Sequence, residues 1–122
     1  MSKTILIVDD APTIRQMVNY ALGGGEFKIV EACDGEEALA KLKNGLRPDL
    51  VITDLNMPKM DGITLIKNIR ELPSHRFVPV LMLTTESQPA KKREGQAAGA
   101  SGWIVKPFTP EQLLKVVGMM IR

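Results

Sequence analysis

Short runs of β-branched and aliphatic residues recur along the chain, each followed by a stretch whose apolar positions fall at helical spacing. Ile5 to Val8, Leu50 to Ile52 and Val80 to Leu83 are continuously apolar, as expected of central strands covered on both faces. Phe27-Lys28-Ile29-Val30-Glu31-Ala32 partly alternates and predicts an edge strand, and Gly102 to Val105 predicts a short fifth strand. Ile14, Met17, Val18, Ala21 and Leu22 make one apolar stripe, so a first helix starts near Pro12 and ends at Gly23-Gly24-Gly25. Asp34 with Glu37, and Thr109 with Gln112, have the spacing of capping boxes for a second and a last helix, the latter with Pro110 at N1. Leu65, Ile66, Ile69 and Leu72 form the inner face of a third helix from about Gly62 to Leu72. The segment from Pro89 to Ala98 offers little beyond Ala90, Ala97 and Ala98, which predicts a fourth helix that is loosely held. Strand and helix alternate five times, so the pattern predicts an α/β domain of (βα)5 type with a parallel sheet. Right-handed crossovers and a ligand site at the carboxyl ends of the strands follow from that architecture.

The 122 residues suit one domain, 1–122, able to bury roughly two thirds of its unfolded surface without a metal or disulfide staple. With 44% hydrophobic and 25% charged residues, no apolar run approaches the ~18 needed to span a bilayer. A net charge of +2 gives no reason to expect nucleic acid or a membrane as partner. Met1-Ser2-Lys3 leads directly into the first strand and leaves no separate signal-peptide region, so a cytoplasmic location is expected. Cys33 is the only cysteine, which excludes an intrachain disulfide, and its expected role is a small buried core thiol. His75, the only histidine, falls before the fourth strand without a catalytic partner and is expected at the surface. Lys91-Lys92-Arg93 reads as a solvated face, and the methionines, Met119-Met120 among them, as adaptable packing.

Chemistry enters at the strand ends. Asp9 and Asp10 follow strand one, Asp54 ends strand three, Thr84 ends strand four and Lys106 follows strand five. Singly, each has a structural role: Asp begins turns and caps helices, Thr suits strands, and Lys reaches water. Jointly, three carboxylates on one edge repel one another unless a cation or the lysine compensates them. Hard oxygen ligands in that number favour Mg²⁺ or Mn²⁺. A carboxylate beside such a metal can accept a phosphoryl group, because metal and ammonium together neutralise the incoming charge.

These residues also carry a resemblance. Asp9-Asp10, Asp54 in "DLNMPKMDG", Thr84 in "LMLTTES" and Lys106 in "WIVKPF" resemble the receiver domain of two-component response regulators over essentially the whole chain. With no output domain after Arg122, the similarity is to stand-alone chemotaxis regulators of the CheY type. The resemblance implies a flavodoxin-like doubly wound fold with strand order 2-1-3-4-5. It implies phosphoryl transfer to Asp54 from a CheA-like sensor histidine kinase, with Mg²⁺ held by Asp10 and Asp54, by the Asn56 carbonyl, and by Asp9 mainly through water. Lys106 is implied to pair first with Asp54 and then with the phosphoryl group, to which Thr84 donates its hydroxyl. Trp103 stands where receivers place a switch aromatic. Its bulk leaves a packing-only role as the alternative. Asn56 and Glu86 match positions that tune dephosphorylation, with an ordinary loop role as their alternative. A cis bond is expected at Lys106-Pro107. The implied output is a protein target such as a flagellar motor switch protein, on the face of the fourth helix, fifth strand and fifth helix. A phosphatase is a further implied partner, and a monomer is expected.

Other functions fit less well. An FMN carrier needs phosphate-binding donors where this chain has Asp9-Asp10. A haloacid dehalogenase-type phosphatase wants an acid where Asn56 stands, and no P-loop motif is present. A receiver reduced to constitutive docking is expected to lose Asp54 or Lys106, and both are here. The expected protein is a switch with slow self-dephosphorylation rather than a turnover enzyme.

Overall fold

In the computed structural model, which describes residues 3–23 and 26–121, strands and helices alternate along the chain. The elements are β1 (Lys3–Val8), α1 (Pro12–Ala21), β2 (Phe27–Ala32), α2 (Gly35–Lys43), β3 (Leu50–Thr53) and α3 (Gly62–Glu71). A 3₁₀ turn (Pro73–His75), β4 (Val80–Thr84), α4 (Pro89–Ala98), β5 (Gly102–Val105) and α5 (Pro110–Met120) complete them. The five strands are parallel in the order β2-β1-β3-β4-β5, as the resemblance implied. The chain first steps from β1 to one side and later to the other. Loops leaving β1 and β3 therefore diverge and open a crevice at the carboxyl ends of those strands. Val8 lies beside Ala32 on one flank and Thr53 on the other, so the residues after β1 and β3 emerge level with one another.

Alternation along the strands feeds two cores. Leu6, Val8, Val51 and Met82 meet Ala38 and Leu42 of α2 and Leu65, Ile66 and Ile69 of α3. On the other face, Ile5, Ile7, Ile52 and Leu83 meet Val18 and Ala21 of α1 and Leu113 and Val117 of α5. Each fully buried aliphatic side chain contributes about 1.5–3 kcal/mol, which explains why the buried stretches 5–8, 50–52 and 80–83 carry no polar residue.

The helix boundaries have local causes. Asp34 accepts from the Glu37 N–H at 2.8 Å, Asp61 from the Thr64 N–H at 2.8 Å, and Thr109 from the Gln112 N–H at 3.1 Å. The α3 helix stops at Glu71 because Leu72 precedes Pro73, whose ring disfavours a helical conformation there, and Leu72 takes ψ 119° instead. Gly62 opens α3 directly against the end of β3. A Cβ there would overlap the Asp54 carbonyl oxygen and lie 3.0 Å from the Leu55 Cα, so only glycine lets α3 brace the loop that carries Asp54.

Three expectations are revised, and one extends past the described residues. Met17 lies on the apolar stripe of α1 yet is 52% exposed, because Val18, Ala21 and Leu22, with Ile14 packed beside them, fill the narrow seam against the sheet. The α1 helix stops at Ala21, just before the expected glycine run: the Leu22 and Gly23 N–H groups bond Val18 and Tyr20, while Gly24 and Gly25 lie outside the described residues. Cys33 is exposed rather than buried, since Ala32 takes the last inward position of the edge strand and Cys33 already belongs to the turn into α2. His75 is 5% exposed rather than superficial. The unforeseen 3₁₀ turn folds its ring under the connection before β3, where Nε2–H donates to the Leu46 carbonyl at 2.8 Å.

Candidate functional site

The crevice is lined by the residues that leave β1, β3 and β5. One oxygen each from Asp9, Asp10 and Asp54 lie within 4.8 Å of one another. The backbone fixes two of the three: the Asp9 N–H donates to Ala32 at 3.1 Å, and the Asp54 N–H to Val8 at 3.0 Å. Their carboxylates are held as well, Asp9 Oδ1 accepting from the Ala11 N–H at 2.9 Å and Asp54 Oδ1 from the Leu55 N–H at 2.7 Å. Asp9 and Asp54 are buried, whereas Asp10 is exposed and its carboxylate has no hydrogen bond or ion pair among the described residues.

Lys106 reaches in from the end of β5. Its Nζ lies 2.9 Å from Asp9 Oδ2 and 3.5 Å from Asp54 Oδ2. The pairing expected with Asp54 is present, and the ammonium sits nearer still to Asp9, bridging the two. At 11% exposure the bridge is shielded from water, which strengthens the attraction and raises the cost of leaving either carboxylate unmatched. Three carboxylates face this one ammonium, so the cluster stays acidic, and Asp10 presents free oxygens at its open side. A donor set of hard oxygens with surplus negative charge fits Mg²⁺ or Mn²⁺. The Lys106-Pro107 bond is cis, as expected.

Thr84, Glu86 and Trp103 form a second group. Thr84 is fully buried, and its Oγ1 accepts from the Glu86 N–H at 3.2 Å. The Glu86 carbonyl in turn accepts from Trp103 Nε1 at 3.0 Å. A hydrogen-bonded path thus runs from the end of β4 to the indole on β5, and the half-buried indole packs beside the α2–α3 core. Asn56 is exposed in the loop after β3. The fold therefore joins Asp9, Asp10, Asp54 and Lys106 directly, and links Thr84 to Trp103 through Glu86.

Arg15 of α1 is a neighbour that the sequence pattern did not single out. Its Nη1 donates to the Asp9 carbonyl, and its Nε pairs with Glu31 Oε1 at 2.9 Å. Arg15 merely flanks an apolar stripe and Glu31 is an outward residue of an edge strand. Only the packing of α1 over β1 and β2 joins them.

A doubly wound parallel sheet with an acidic cluster and one lysine at its switch point defines a receiver. The chain belongs to the response regulator receiver domain family, which matches residues 5–118. Chemotaxis protein CheY-3 of Vibrio cholerae is 47% identical over 110 residues, covering 89% of this chain and 84% of that protein. The solved structure of Vibrio cholerae CheY4 at low pH is 46% identical with a TM-score of 0.93, covering 99% of this chain and 100% of that one. The alkaline phosphatase synthesis transcriptional regulatory protein PhoP of Bacillus subtilis is 36% identical over 122 residues, and the chain spans 50% of its length. Receiver domains are signalling switches rather than classical enzymes. They interact with histidine kinases and downstream targets, and they bind Mg²⁺ at an acidic cluster such as the one formed here by Asp9, Asp10 and Asp54. Among the described residues no helix is long and apolar enough to cross a membrane.

Proposed function

We propose that residues 1–122 act as one receiver domain in which Asp54 accepts a phosphoryl group from a phosphohistidine of a CheA-like sensor kinase. An oxygen of Asp54 forms the new O–P bond as the donor's N–P bond breaks, and the electron pair stays on the imidazole nitrogen. The observation that carries this reading is the convergence of three carboxylates within 4.8 Å with Lys106 bridging Asp9 and Asp54. Asp10, Asp54 and the Asn56 carbonyl would hold Mg²⁺, with Asp9 acting mainly through water, and Mg²⁺ held there would supply charge neutralisation for the transferring group. Lys106 moves from the carboxylates to the phosphoryl oxygens, gaining charge-assisted bonds there. The Thr84 hydroxyl turns from the Glu86 N–H to donate to the phosphoryl group, and the released Glu86 loop shifts Trp103. Asn56 and Glu86 flank the approach of the hydrolytic water and set a slow self-dephosphorylation.

Chemotaxis is the pathway we favour. Support comes from the likeness to CheY-3, 47% identical over 110 residues, against 36% for PhoP over 122. On this reading the protein is a cytoplasmic monomer, the target is a flagellar motor switch protein, and a phosphatase shortens the signal. The test is exposure to acetyl phosphate or beryllofluoride with Mg²⁺. Mass spectrometry and Trp103 fluorescence should register modification of the wild type and none of Asp54→Ala. Equal labelling of the mutant refutes the assignment.

A further inference from the structure

We infer that Arg15, anchored by Glu31, is a positioning residue that aims Asp10 at the divalent cation; the inference rests on the receiver reading above. Asp10 is the one carboxylate of the three whose side chain meets no partner among the described residues, so nothing at its oxygens sets its direction. Its backbone is constrained instead. Asp10 shares a planar peptide with Asp9, and the oxygen of that peptide accepts from Arg15 Nη1. Gripping the oxygen stops the plane from rotating, and that rotation is what would swing the Asp10 Cα–Cβ bond away from Asp9 and Asp54.

Arg15 is itself held. Its Nε lies 2.9 Å from Glu31 Oε1, its side chain is 17% exposed, and Asn19 Nδ2 stands 3.5 Å from Glu31 Oε2. Glu31 lies beside Ile7 in the parallel register, so the brace spans α1, β2 and the exit of β1. A planar guanidinium serves the carbonyl and the carboxylate at once from different nitrogens, whereas a lysine ammonium concentrates its donors at one point and cannot span both. Glu31 also offsets the charge of Arg15, so the brace steadies an acidic site without competing with the cation for it.

The experiment is a calorimetric Mg²⁺ titration of the full chain as wild type, Arg15→Lys, Glu31→Gln and the double variant, each melted in chelator as a control on folding. Arg15→Lys keeps the charge and loses the fork, and it is expected to weaken Mg²⁺ binding about tenfold, with Glu31→Gln weakening it less. The double variant should bind no worse than Arg15→Lys, because Glu31 acts only through Arg15. Wild-type affinity in Arg15→Lys, or additive losses in the double variant, overturns the inference. Should Arg15→Lys melt early, Glu31→Gln carries the test alone, and unchanged Mg²⁺ affinity there overturns it. A wild type that binds no Mg²⁺ defeats the receiver reading together with the brace. Wild-type binding with unaffected variants defeats the brace only.

Discussion

Lys106 carries the electrostatics of the site because, among the described residues, it is the one ammonium shared by two buried carboxylates. Lys106→Met leaves both unmatched, and urea denaturation in chelator should show a loss of about 3 kcal/mol. Saturating Mg²⁺ should then stabilise the mutant more than it stabilises the wild type, because the more acidic cluster binds the ion more tightly and binding favours only the folded chain. An equal gain in both proteins would argue against that electrostatic coupling. Cys33 makes a different case. Desolvation in its immediate surroundings, then the Glu37 and Asp34 carboxylates, push its thiol above the ordinary value. The side chain is exposed, so the two carboxylates are the part of that effect a substitution can remove. A raised value means less thiolate at neutral pH. Alkylation by iodoacetamide should therefore run slower than in a short cysteine peptide, with its rate profile displaced to higher pH, and Glu37→Gln should quicken it. Both residues were visible in the sequence, but only one was placed well: a lysine after an apolar strand points to the strand-end cluster, whereas a lone cysteine at the end of an edge strand has no periodic signal to say which way it faces.

Among the elements, α4 shows how little of a helix needs to be buried. Ala90 and Ala97 are exposed, and Gly95 is the only buried residue of α4. A Cβ on Gly95 would stand 2.6 Å from Trp103 Cζ3, so the absent side chain is what allows the indole to lie against the helix while Nε1 bonds Glu86. Gly95→Ala should gain up to about 1 kcal/mol of helix propensity and lose a similar amount by displacing the ring. The melting temperature should change little, while Trp103 emission moves to longer wavelength and iodide quenches it more strongly; unaltered emission would contradict this packing. The sparse burial of α4 was legible in its poor apolar pattern. The role of Gly95 was not, since a glycine inside a helix gives no hint of which ring lies over it.

For the whole molecule, Arg70 ties distant segments together. From α3, its Nη1 donates to the carbonyls of Arg76 at 3.0 Å and Val78 at 2.6 Å, and its Nη2 to that of Gly99 at 2.7 Å. Burial pulls its pKa below the usual arginine value. Arg70→Met strands the Gly99 carbonyl at the end of α4 and the Arg76 and Val78 carbonyls before β4, and should cost about 2–4 kcal/mol. Hydrogen exchange in α4 should quicken more than in α2, and Arg70→Lys should restore little, because one ammonium cannot reach both sides. Uniform exchange across the helices would argue against a local tie. What the sequence determined by itself is the alternation of strand and helix, the cap at Asp34, and the polar residues at the strand ends, because those depend on steric preference and periodicity over a few neighbouring residues. Only the tertiary structure set Lys106 nearer to Asp9, 97 residues away, than to Asp54, turned His75 inward and Cys33 outward, and brought Arg15 between Asp9 and Glu31. Those outcomes follow from strand register and helix packing, which bring together side chains whose local sequence carries no record of one another.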